Sequence, residues 1–136
     1  MDRDMKKILF GTLLFILVTF TTQYISHFVL NVEHYEAVSF TRKEVIFPLG
    51  FLTMILQGAV LSFFFPLFSK GKYTLVKGFL FGLLMSALFV SYPTFTEPAK
   101  YQVPNIVSWV IVEGLVGLTQ FCTYGTLLSL LYSRLK

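Results

Sequence analysis

Four stretches of the chain, 8–30, 45–68, 73–92 and 106–132, are almost continuously apolar, and short polar segments separate them. Each matches or exceeds the ~20 residues a helix needs to cross a hydrocarbon core at 1.5 Å per residue. None shows the strict apolar/polar alternation of a membrane barrel strand. Backbone amides shielded from water must pair within their own segment, so these stretches predict helices. The expected fold is all-α: an integral membrane bundle of four transmembrane helices forming one domain over 1–136, with the lipid bilayer as its surroundings.

The polar residues mark the boundaries. The first helix starts after Lys6-Lys7 and turns polar toward its far end through Thr19, Gln23, Ser26 and His27. The longest connection, 31–44, carries Glu33, His34, Tyr35, Glu36, Arg42, Lys43 and Glu44. The second helix has Pro48 in its first turn, where a missing N–H costs little. The short 69–72 connection predicts that the second and third helices are antiparallel neighbours. The third is expected to stop at Tyr92, because Pro93 disfavours helix in the residue before it. Pro93, Pro98 and Pro104 then stiffen the following connection.

Charge refines this picture. Only 13% of residues are charged, against 55% hydrophobic, about half the ~25% of a soluble domain. The net charge of +4 does not point to nucleic acid, because the basic residues collect at helix ends. Arg3, Lys6, Lys7, Lys70, Lys72, Lys77, Arg134 and Lys136 fall on the side of the termini, and Arg42, Lys43 and Lys100 on the other. Cytoplasmic loops carry the excess of Lys and Arg, so both termini are expected inside, in a multi-pass membrane protein. Met1 to Lys7 followed by an apolar run imitates a secretory signal. The run is too long for one and lacks a small-x-small cleavage site, so the first helix is expected to be retained. Cys122 stands alone within the fourth run, which excludes an internal disulfide and suggests a small buried hydrophobe.

Small residues indicate where helices touch. Gly78-x-x-x-Gly82 on the third helix, Gly58 and Ser62 on the second, and Gly114 and Gly117 on the fourth permit close backbone approach. Packing inside the chain is the expected use; a homo- or hetero-oligomer through Gly78 and Gly82 is the other.

Glu113 is the leading candidate for function. It lies about eight residues into the fourth helix, ~12 Å below the helix end. An unpaired carboxylate at such depth costs on the order of 2.5–3.5 kcal/mol, which makes an intramembrane acid a functional candidate by default. Glu113, Gly117, Gln120 and Tyr124 share one helical stripe. Gln23 and His27 form a similar stripe on the first helix, Gln57 lies midway along the second, and Tyr92 ends the third. Arg42, just before the second helix, reaches toward Glu113 or stays a surface charge. The lead reading is an outward-facing polar pocket built from Glu113, Gln57, Gln23, His27, Gln120, Tyr92 and Arg42, binding or passing a small solute or proton. In the bland alternative these groups serve as interhelical glue, worth ~0.6 kcal/mol per bond. His27, His34 and Glu33 are a conceivable metal set by residue type, although their spacing fits no established ligand motif.

No nucleophile–base pair, phosphate-binding loop, paired-cysteine motif or lipid-attachment signal is present, so a non-enzymatic role is preferred and no cofactor is named. Two further readings stand beside the lead. One is an accessory subunit docking a larger membrane partner through its Gly-rich faces, and the other is a metal-dependent membrane enzyme.

The combination of His27, Tyr35, the Arg42-x-Glu44 step, Gly78 with Gly82, and Glu113 with Gly114 and Gly117 resembles a group of small uncharacterised bacterial membrane proteins with four helices. The likeness covers most of the chain and implies the architecture and the membrane, with no activity attached. The first helix lacks the glutamate setting of small multidrug transporters, and the Arg- and Asn-rich signature of glutathione-linked four-helix enzymes is missing.

Overall fold

The computed structural model describes residues 2–42 and 44–135. Met1, Lys43 and Lys136, the last two of which enter the charge asymmetry, lie outside the described residues. The chain is all helical among them. Helix α1 spans Arg3–Ile25 and continues through a π-type turn, Ser26–Leu30, into the short α2, Val32–Glu36. Helix α3 is Phe47–Ser69 and α4 is Leu75–Phe89; a second π-type turn, Tyr92–Thr96, leads into α5, Glu97–Lys100. Helix α6, Ile106–Arg134, is the longest. Four continuous stretches, Arg3–Leu30, Phe47–Ser69, Leu75–Lys100 and Ile106–Arg134, are long and apolar enough to cross a membrane.

Caps fix the ends. Asp2 accepts from the amide of Arg3, Thr74 from that of Lys77 and Asn105 from that of Ser108, each satisfying an otherwise orphaned donor. Helix α3 stops because Lys70 and Gly71 both adopt positive φ, at 52° and 69°. Glycine adopts that geometry freely, whereas lysine does so only at a cost.

The third apolar stretch does not stop at Tyr92 as its prolines suggested. The helical path continues to Lys100, because the π-type turn absorbs the lost donor of Pro93 with a wider bond from the Glu97 amide to the Tyr92 carbonyl. The Pro93 carbonyl is then orphaned: Glu97 is engaged, and Pro98 has no N–H to offer. The indole of Trp109 supplies the partner, with Nε1 donating to Pro93 O at 2.9 Å. Trp109 is accordingly buried.

Helix α6 occupies the centre. It packs most extensively on α4 and also on α1, while α1 packs along α3. The expectation that the short turn makes α3 and α4 close neighbours holds only at the turn end, through Phe65–Phe81 and Phe68–Phe81 ring contacts. Elsewhere the two barely meet. The glycines decide this. A Cβ on Gly78 or Gly82 would run into the α6 backbone at Gly125 or Phe121, so α4 and α6 approach closer than any side chain permits. That face is spent within the chain, which corrects its use for a second subunit. Phe15, Leu61, Phe65, Phe81, Tyr124, Leu128 and Tyr132 fill the half of the bundle nearer the termini, each 1% exposed or less.

Candidate functional site

The lid over the other end is built by the first π-type turn. Its extra residue lets the amide of Asn31 reach the Ser26 carbonyl at 2.8 Å and turns the chain, so that α2 folds back over the ends of α1 and α6. Tyr35, from this returning segment, donates its hydroxyl to Glu113 Oε1 at 2.9 Å. A phenol has one proton, so the Ser26 hydroxyl, 3.4 Å away, donates to the Tyr35 oxygen. Asn31 Nδ2 in turn donates to Ser26 Oγ at 2.9 Å. The three bonds run in one sense, Asn31 to Ser26 to Tyr35 to Glu113, and such chains polarise cooperatively toward the carboxylate.

His34 approaches the same oxygen, its Nε2 3.8 Å from Glu113 Oε1. That is too long for a hydrogen bond, and this buried nitrogen has no hydrogen-bond partner among the described residues. Burial lowers the His34 pKa below its ordinary value. Tyr35 is held well above the usual phenol range, first by burial and then by the neighbouring Glu113 charge, with the Ser26 bond opposing. It therefore stays a donor. The His34 and Glu113 side chains are 12% and 19% exposed, so the pair is reachable. A cavity of about 650 Å³ lies against His34, lined also by Asn31, Glu33, Asn105 and Ser108. Glu97, at the start of α5, is another carboxylate of this chain.

His27 joins from α1. Its ring stacks on Tyr35 at 3.5 Å and 12°, and its Nδ1 lies 3.0 Å from the Gln23 carbonyl. One layer deeper, Gln23 Nε2 donates to Gln120 Oε1 at 2.8 Å and Gln120 Nε2 to Thr19 at 3.1 Å. These two amides serve each other and do not reach Glu113.

Of the sequence candidates, the structure thus gathers Glu113 and His27 at the lid and links Gln23 with Gln120 beneath. Gln57 is half-buried on α3 and forms no hydrogen bond among the described residues, so it joins neither group. Tyr92 is exposed and pairs with Lys100, whose Nζ donates to its hydroxyl at 3.3 Å. Arg42 is exposed and pairs with neither Glu113 nor Glu44 among the described residues. Its position follows from Tyr35, which already occupies the carboxylate. His27, His34 and Glu33 do not converge: no group of three or more His, Cys, Asp or Glu side chains among the described residues could hold a metal ion. Glu33 is exposed, and the two imidazoles serve Tyr35 and Glu113 separately.

Sequence reading missed Tyr35 and His34 as neighbours of Glu113, and Ser26 and Asn31 as the groups behind Tyr35. No family model, no curated protein and no solved structure matches the chain.

Proposed function

We propose that this chain is a four-span membrane protein, both termini cytoplasmic, that binds a small cationic or hydrogen-donating solute at its outer end. Glu113 is the anchor and the segment 31–36 is the lid. The reading rests on one observation: Tyr35, carried by a connecting segment, donates to Glu113 at 2.9 Å and so holds the position a bound donor would take. An ionised carboxylate can only accept, so such an anchor favours a cation or a hydrogen-bond donor over an anion. Apolar side chains over the outward surface of all four long helices support insertion in the bilayer. The likeness to small four-helix proteins of the bacterial inner membrane is in keeping with this reading.

Binding is favoured over passage. Below Gln23 and Gln120 the bundle is packed with Phe15, Phe65, Phe81 and Tyr124, and a solute moving through would have to displace that packing.

The test is thermal unfolding of the protein in nanodiscs against a panel of alkylamines and guanidinium ions. At least one compound should raise the transition of the native chain in a dose-dependent way and leave Glu113→Gln unmoved. Tyr35→Phe, which removes the internal competitor, should bind that compound more tightly. If no amine acts, or if Glu113→Gln responds equally, the proposal fails.

A further inference from the structure

Beside the lid, α1 and α3 enclose a second cleft of about 410 Å³, within the range of small-molecule sites. Its walls are aromatic, with Phe20, Tyr24 and Phe28 from α1 and its π-type turn facing Phe47 and Phe51 of α3. The Phe20 and Phe51 rings stack on each other across α1 and α3, 6.1 Å apart and within 18° of parallel, as part of this aromatic lining.

Gln23 and His27 line it from α1, beside the hydroxyl-bearing ring of Tyr24. The Gln23 carbonyl can only accept, so His27 Nδ1 carries the proton of their 3.0 Å contact. In the neutral ring Nε2 is then left with its lone pair. Gln23 uses one N–H of its amide on Gln120, and its amide oxygen remains an acceptor. Neither His27 Nε2 nor Gln23 Oε1 has a partner among the described residues. Both groups therefore ask for a donor. In apolar surroundings an acceptor left bare is costly, so an O–H or N–H brought by a ligand gains more there than in water. The His27 ring is also held against Tyr35 at 3.5 Å, which fixes the direction of Nε2 before anything binds.

We propose that this cleft binds a membrane-soluble molecule whose flat aromatic ring carries a hydroxyl, a phenol or an isoprenoid-type quinol, with the hydroxyl donating to His27 Nε2. A hydroxyl that donates to His27 Nε2 is available to the reduced hydroquinone and not to the oxidised quinone, which has no proton to give. The aromatic lining favours a flat ring over the aliphatic backbone of a diacylglycerol. The site rests on the membrane reading above and does not require Glu113 to anchor a solute.

Decylhydroquinone kept reduced under anaerobic conditions, its oxidised quinone and dioleoylglycerol are the probes, each partitioned between protein-loaded and empty nanodiscs. Protein-dependent retention of the hydroquinone, about tenfold tighter than the quinone and not displaced by dioleoylglycerol, is expected. His27→Phe should abolish the preference for the reduced form. Gly50→Leu should remove binding of both forms, since Gly50 lines the cleft and nothing stands within 4 Å of a side chain added there. Because that space is open, Gly50→Leu keeps the fold and carries the test even if His27→Phe does not fold. Equal retention by loaded and empty discs, equal binding of both redox forms, or equal competition by dioleoylglycerol overturns the proposal. Glu113→Gln should retain hydroquinone binding, so the amine panel and this assay fail independently.

Discussion

Tyr35 joins two hydrogen-bonding residues, Ser26 and Glu113, through one oxygen, and its hydroxyl is the most informative single atom to remove. Tyr35→Phe keeps the ring and its stack on His27 but leaves Ser26 and Glu113 without their shared partner. An unsatisfied buried group costs about 1–3 kcal/mol, and the loss should appear as a lower unfolding transition in detergent with unchanged helix content. Ser26→Ala removes the more distant donor to Tyr35 and the acceptor of Asn31 Nδ2 but leaves the Tyr35–Glu113 bond, and a change of about 0.5–1.5 kcal/mol is expected in the same measurement. At this scale the sequence was half legible. Glu113 stood out because a carboxylate among Val, Ile and Gly is conspicuous, whereas Tyr35 did not, because a tyrosine in a polar connection is ordinary. Its role depends on a reversal of the chain at Asn31 that no local pattern announces.

The lid and the α4–α6 pair give opposite tests for elements. The lid is short and tied down by few groups, and His34 makes it sensitive to acid. Its pKa is lowered in the folded state from 6.5, so on acidification the unfolded or undocked segment takes up the proton first. The lid's stability is therefore complete above about pH 6.5 and declines as pH falls below it. Hydrogen exchange of the 32–36 amides, corrected for intrinsic rates, should lose protection between about pH 7.5 and 5.5. His34→Gln should flatten that dependence. The α4–α6 contact is rigid by contrast. Gly82→Leu would push a side chain into the Phe121–Cys122 backbone, which has nowhere to go. A loss of roughly 2–3 kcal/mol is expected in dodecyl sulfate titrations. Gly50→Ala, in open space, should be neutral or slightly stabilising. The four long helices were legible because their apolar runs are long and sharply bounded. The continuation past Pro93 was not, because it depends on a π-type turn whose orphan carbonyl is satisfied by Trp109, sixteen residues away.

For the whole molecule, the proposed orientation follows from the basic residues. Placing single cysteines at Asp2 and Gln102 in a Cys122→Ser background should give labelling of Gln102→Cys by an impermeant thiol reagent on intact cells, and of Asp2→Cys only after the membrane is opened. The reverse pattern would put the lid in the cytoplasm. Pairing order was the least legible part of the fold. A short turn suggested that α3 and α4 lie together, but the small residues sent α4 to α6. That arrangement has a consequence for biogenesis. On the membrane reading proposed above, α1 and α3 can pair as the chain emerges, whereas α4 would enter the bilayer with its glycine notch bare. Its main partner is translated after it, so the newborn protein passes through an interval with one span unclaimed. Membrane chaperones and quality-control proteases have their opportunity in that interval.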